Sequence, residues 1–153
     1  MNTSENLSIL IILYEEDFTL ISKCLENLKN FKVIIIDNAG NNILRDKIES
    51  KFKIFKYIVN KKNLGFPGAA NQGIMLCDTE YLFILGADCL MSHQDIENLI
   101  IAKKKYKDCL IVSPTFYNPD GNLSYNGGLL PENGGKNKIL PLEGDTCVEA
   151  ILT

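Results

Sequence analysis

Four short stretches hold the residues whose types could do chemistry: Tyr14-Glu15-Glu16-Asp17, Asp37-Asn38, Asn63-Leu64-Gly65 and Gly86-Ala87-Asp88. Each closely follows an apolar run, and together they offer carboxylates, amides and one aromatic face. Carboxylate oxygens accept hydrogen bonds and suit hard divalent cations, while side-chain amides both donate and accept. Such a set fits a polar or charged ligand. Other chemistries find less support. The five cysteines, at 24, 77, 89, 109 and 147, are odd in number, widely spaced and without a CxxC pair, which argues against a disulfide framework and a zinc site. The one histidine, His93, follows Ser92 at the start of a helical pattern and reads as a solvated first-turn residue.

The elements that must position these stretches follow from hydrophobic periodicity. Residues 7–13 form a continuous apolar run of strand length, and the next segment sets Ile21, Cys24, Leu25 and Leu28 on one helical face behind Asp17 as N-cap. A second strand over 32–36 ends at Asp37, and a short helix with Leu44, Ile48 and Phe52 inward follows. A third strand over 55–59 leads to the run NLGFPGAANQGI at 63–74, where Pro67 suits a first helical turn and Gly68, Ala69 and Ala70 permit close backbone approach. A fourth strand spans 81–85, Ser92 and Asp95 form a capping box for a helix with Ile96, Leu99 and Ile100 inward, and a fifth strand is expected over 109–112. Beyond it, residues 112–153 read as a hairpin turning at Asn118-Pro119-Asp120-Gly121, a Gly- and Asn-rich loop over 133–138 and one more strand over 148–152.

Apolar strands alternating with helices predict an α/β fold: a mainly parallel sheet covered on both faces, whose ligands sit outside the C-terminal strand ends. All four candidate stretches fall on that edge. A dinucleotide site is excluded because the turn after the first strand has no glycine, and no P-loop is present. A phosphoacceptor receiver domain would want an aspartate after strand three and a lysine after strand five, where this chain has Asn60 and Ser113-Pro114.

The run at 63–74, set between Asp37 and Asp88, resembles the family 2 inverting glycosyltransferases of the GT-A fold, especially their rhamnosyltransferase-like branch. The matching residues, in order, are Tyr14 after the first strand, Asp37-Asn38 after the second, then Asn63, Gly65, Phe66, Asn71 and Gly73, and finally Asp88. The resemblance covers residues 7 to about 126. It implies transfer of a sugar from a nucleoside-diphosphate sugar to a glycan or lipid-linked acceptor, with inversion, in surface polysaccharide synthesis. It also implies a donor site drawing on Tyr14, Asp37, Asn38, Asn63, Gly65, Asn71 and Gly86, with Asp88 holding a divalent cation, Mg or Mn. The small residues at 68–70 would turn backbone N–H groups toward donor phosphate or sugar. Two departures stand out. Gly86 occupies a position where the family has aspartate or asparagine, and the family's general base is expected beyond Thr153, so the catalytic residue is unassigned and turnover should be slow or absent. The alternative reading is a non-catalytic nucleotide or nucleotide-sugar binding module that needs a partner for the acceptor half.

Each assignment has a plainer reading beside it. An aspartate just past a strand can be a turn-former, Asn63 and Asn71 can serve loop backbone, Tyr14 can be a core residue, and Glu15 and Glu16 read as solvent-facing. Composition bounds the remainder: 153 residues, 46% hydrophobic and 23% charged with a net charge of −3, fit a single domain, 1–153, that buries its own core. The 16 basic residues lie among 19 acids with no basic aromatic face, so no nucleic-acid partner is expected. No run approaches the roughly 20 apolar residues that span a bilayer. With no secretory signal at the N-terminus, the expected location is cytoplasmic, with peripheral attachment at the inner face of the cell membrane as a further option. A last strand left without a neighbour would favour self-association.

Overall fold

The computed structural model describes residues 6–106 and 110–125. The chain divides into two compact units, residues 1–93 and residues 94–153. The first alternates strand and helix as its periodicity predicts: β1 (Leu7–Leu13), α1 (Phe18–Glu26), β2 (Lys32–Asp37), α2 (Asn42–Lys51), β3 (Lys56–Val59), α3 (Gly65–Leu76) and β4 (Tyr81–Leu85). The four strands form one sheet in the order β3-β2-β1-β4, every neighbouring pair parallel.

This order explains the composition of β1. A strand with a neighbour on both sides and helices over both faces has little direction open to water, so it is almost wholly apolar. Ile9, Leu10, Ile11 and Leu13 are wholly buried. Its one hydroxyl, Ser8, is buried too and is satisfied at 2.9 Å by the Thr79 hydroxyl. Right-handed crossovers from β1 to β2 and from β2 to β3 run toward one edge, whereas the crossover through α3 returns past β1 to β4. The same handedness puts α1 and α2 on one face of the sheet and α3 on the other. Leu10, Ile34 and Ile36 accordingly pack with Ala69 of α3.

The helices take their predicted faces. Asp17 caps α1 by accepting from the Thr19 N–H at 2.7 Å, and Ile21, Cys24, Leu25 and Leu28 are buried. Leu44, Ile48 and Phe52 are buried beneath α2. In α3 the small residues pack closely against the sheet. Ala69 and Ala70 are buried, Ala69 in the cluster with Leu10, Ile34 and Ile36, and a Cβ at Gly73 would come within 2.4 Å of the Leu10 methyls. They let helix and sheet approach each other, and the Ala69 and Ala70 side chains are not among those lining the cleft at the β1 and β4 strand ends. Gly68 is half-buried, its would-be Cβ 2.9 Å from that of Leu64.

In the second unit, α4 (His93–Lys105) starts directly after Ser92, with Ile96 buried and Leu99 and Ile100 half-buried. A two-stranded antiparallel hairpin follows, β5 (Phe116–Tyr117) and β6 (Leu123–Tyr125), around the predicted turn. Gly121 has φ +83° there, and the Asp120 carboxylate accepts from the Asn122 N–H at 2.9 Å. The expected fifth strand is not formed: Leu110, Ile111 and Val112 are in no strand, and Leu110 and Ile111 are largely exposed. An apolar run is only a strand if something covers it, and here nothing among the described residues does. Residue 109, the loop over 133–138 and the strand expected over 148–152, with the self-association expected through it, lie outside the described residues.

Candidate functional site

The crossover reversal creates a topological switch point between β1 and β4, the position where open parallel sheets leave a crevice beyond their strand ends. A cleft of about 410 Å³ lies there. Ile12 of β1 and Ile84 and Leu85 of β4 form its floor, Leu20 of α1 and Phe66 of α3 its walls, and Glu16 and the turn Gly86-Ala87-Asp88 its polar side. Apolar surface with a few convergent polar groups is the usual make-up of a small-ligand site.

Of the residues expected from sequence, Gly86 and Asp88 line this cleft. They are coupled sterically: a Cβ at Gly86 would lie 2.6 Å from an Asp88 carboxylate oxygen and 3.3 Å from the Cys89 sulfur. The Asp88 carboxylate thus fills the room a side chain at 86 would need. Cys89 Sγ donates to Asp88 Oδ1 at 3.6 Å, and its thiol is raised above the ordinary value by burial and then by the Asp88 charge, so it stays a donor. Glu16, expected to face solvent, instead lines the cleft, held by the Tyr14 N–H donating to its carboxylate. Glu15 faces solvent as expected, in a left-handed conformation with φ +65°.

Asp37 and Asn38 lie on the predicted edge but beneath its surface. Asp37 is fully buried; Oδ1 accepts from the Ala39 N–H at 2.8 Å and Oδ2 from the Tyr57 hydroxyl at 3.3 Å. Tyr57's phenol is driven upward by burial first and by the Asp37 charge second, which keeps it protonated as the donor. Asn38 is 4% exposed, donates to the Gly65 carbonyl at 3.3 Å and accepts from Asn60 Nδ2 at 2.9 Å. Both side chains are hydrogen-bonded within the fold, so a ligand reaches the Asp37 carboxylate only where Ala39 or Tyr57 yields.

The remaining candidates divide in the same way. Asn63 Oδ1 accepts from the Gly65 N–H at 2.7 Å, tying the turn in which Gly65 adopts φ +69° and opens α3. Asn71 is exposed on α3, and Tyr14, at the end of β1, is 50% exposed and so not a core residue. Neither lines the cleft, nor do Asn63 and Gly65, but Gly65 places its neighbour Phe66 there. The residues that sequence reasoning missed are Glu16, Phe66, Leu20 and Ile12 in the cleft, and Tyr57, Asn60 and Gln72 in the hydrogen bonds around Asp37 and Asn38. Phe66 belongs to the motif at 63–74 and Glu16 to the stretch after the first strand, so both could be found there; the others carry no local signal.

A divalent cation can be tested against the donor set. Among the described residues no group of three or more His, Cys, Asp or Glu side chains could hold a metal. Asp88 is exposed at the cleft and offers one carboxylate. A hard cation such as Mg²⁺ is commonly held by one or two carboxylates with substrate phosphates and water completing its shell. The residues therefore fit a cation that arrives with a diphosphate and do not fit a cage that holds one alone.

Comparison with known proteins places this geometry. Among solved structures the fold is similar to that of S. aureus TarS, at 17% identity and a TM-score of 0.54, over 67% of this chain and 20% of that one. TarS 1-349 in complex with UDP matches at 17% identity and a TM-score of 0.52, over 67% of this chain and 33% of that one. The chain thus spans between a fifth and a third of the length of these neighbours, and at such identity the likeness shows the GT-A fold alone. No curated protein matches. A family model for glycosyl transferase family 2 matches residues 8–148, nearly the whole sequence, and the chain accordingly belongs to that family.

Proposed function

We propose that this chain binds a nucleoside-diphosphate sugar at the switch-point cleft, as the donor-binding part of an enzyme that transfers the sugar, with inversion, to a glycan or lipid-linked acceptor in surface polysaccharide synthesis. The observation that carries the reading is the position of Asp88: a carboxylate on the polar side of a cleft formed at the β1 and β4 strand ends, in a chain of this family. UDP is bound by the TarS structure that shares the fold.

The residues divide the task by chemistry. Tyr14 offers an exposed ring face at the end of β1 for a base, and Phe66 and Ile84 offer apolar walls. A departing nucleoside diphosphate gains negative charge, and a divalent cation held by Asp88 would offset it. Asp88 would hold that cation and so help to orient the phosphates, while Gly86 leaves the carboxylate its space. The acceptor hydroxyl must lose a proton as it attacks, a task worth about 10²–10⁴-fold in rate. A cytoplasmic site, with peripheral attachment to the inner membrane face, suits a lipid-linked acceptor; no helix among the described residues is long and apolar enough to cross a membrane.

The test is a calorimetric panel of UDP, GDP, dTDP and CMP, each with and without Mn²⁺, on the wild-type chain and Asp88→Ala. One nucleoside diphosphate is expected to bind in a Mn²⁺-dependent way that Asp88→Ala abolishes. Equal affinity in the variant and with chelator removes Asp88 from the cation role, and no binding by any nucleotide removes the donor-site reading. Binding without sugar transfer, even when the acceptor half is supplied, would favour the non-catalytic module instead.

A further inference from the structure

Where the ends of β2 and β3 meet α3, three side-chain amides are joined. Asn60, just after β3, and Gln72, in the middle of α3, form a reciprocal pair: Asn60 Nδ2 donates to Gln72 Oε1 at 2.8 Å and Gln72 Nε2 to Asn60 Oδ1 at 3.0 Å. The second Asn60 N–H goes to Asn38 Oδ1 at 2.9 Å, so every polar atom of that amide is used, and Asn60 is 8% exposed. The Asn60 backbone is itself anchored, its N–H donating to the Asp37 carbonyl at 2.8 Å.

The bonds then leave the side chains and end on backbone. Asn38 donates to the Gly65 carbonyl at 3.3 Å and accepts from the Leu64 N–H at 3.5 Å. Leu64 is the N-cap position of α3 and has no side-chain cap of its own. Residues 61–64 have no strand partner, so this network is what ties the entry of α3 to the ends of β2 and β3. Buried amides are costly unless fully paired, and an apolar contact would have closed the same gap without that demand. What amides add is direction: each bond fixes a position as well as a distance.

We propose that Asn60 is a positioning residue for the cleft: through Asn38 it sets the Leu64–Gly65 backbone, and with it the place at which Phe66 stands in the cleft wall. Gln72 orients the Asn60 amide so that its second N–H meets Asn38. The proposal rests on the reading of the cleft as a nucleotide-sugar site.

Two near-isosteric variants of the full chain separate positioning from general structure. Asn60→Asp removes both donated bonds, including the one to Asn38. Gln72→Glu still accepts from Asn60 Nδ2 and leaves the bond to Asn38 in place. Amide exchange at Leu64 and UDP affinity in the presence of Mn²⁺ are measured well below each variant's melting temperature. Asn60→Asp is expected to speed exchange at Leu64, with residues 9–11 of the central strand unchanged, and to weaken UDP about tenfold, the scale of one hydrogen bond lost. Gln72→Glu is expected to stay near wild type in both, although its melting temperature falls. Should Asn60→Asp not fold, Asn60→Ser, whose hydroxyl is too short to reach both partners, replaces it with the same expectation. A folded Asn60 variant with wild-type exchange at Leu64 overturns the proposal, as does a loss of affinity that tracks melting temperature across both variants. If the wild-type chain binds no nucleotide the cleft reading fails, while exchange at Leu64 still decides whether Asn60 holds the segment.

Discussion

Gly86 and Asp88 share one volume of space, and the sharing has a consequence that an alanine would expose. A Cβ at position 86 meets the far end of the flexible Asp88 side chain, which can rotate away at little cost to the fold. Gly86→Ala is therefore expected to leave denaturant stability within about 0.5 kcal/mol of wild type while weakening Mn²⁺-dependent nucleotide binding several-fold, a contrast that urea melts and calorimetry together would reveal. At Asp37 the expectation runs the other way. Tyr57→Phe removes a donor from a buried carboxylate and should cost about 1 kcal/mol, the low end of the penalty because the bond is long. Tyr57 also carries a pH signature. Its phenol titrates above its unfolded value, so the stability it contributes is complete below about pH 10 and is lost as pH rises further. Alkaline melts of Tyr57→Phe should accordingly lose less stability than wild type above that pH. The sequence reveals the position of Asp88 at the sheet edge, since a strand end fixes where the next residues stand. It does not reveal that Asp37 is covered, because the covering groups come from the turn at Ala39 and from Tyr57 on the neighbouring strand.

Among the elements, α3 shows how closely a helix can be fitted to a sheet. Gly73→Ala inserts a methyl against the wholly buried Leu10, and overpacking of this kind costs about 1–3 kcal/mol, partly offset by the better helix propensity of alanine. Chemical denaturation should show Gly73→Ala to be destabilised, whereas Asn71→Ala, two residues away on the exposed side, should be neutral or slightly stabilised. β1, β2 and β4 are legible to within a residue because their apolar runs are bounded by polar turns. Lys56–Val59 is likewise found, one residue shorter than expected at its start. The run at residues 110–112 is as apolar as a strand yet forms none, since periodicity reports what a segment could bury and not whether a neighbour exists. The small residues at 68–70 pose a related question: they announce close approach, and the sequence does not say to what, whereas the structure shows Ala69 packed on Leu10, Ile34 and Ile36.

For the whole molecule, the strand order decides where function can sit. Nothing in the local sequence of β4 says that it lies beside β1, yet that pairing alone puts the switch point between Ile12 and Leu85 and so puts Asp88 at a cleft. The alternation of strand and helix made a parallel sheet legible; the order β3-β2-β1-β4 followed only from the structure. Any ligand that binds the folded chain alone stabilises it, by about 2.7 kcal/mol at a hundredfold excess over Kd, so the preferred nucleoside diphosphate with Mn²⁺ should raise the melting temperature by several degrees and the others should not. The central claim is spatial, and the most direct measurement is a crystal structure of the chain with UDP and Mn²⁺. The account predicts the diphosphate in the cleft between the ends of β1 and β4, with the cation on the Asp88 carboxylate and the nucleoside beside Tyr14. Diphosphate bound away from that edge, or a cation held without Asp88, would contradict it.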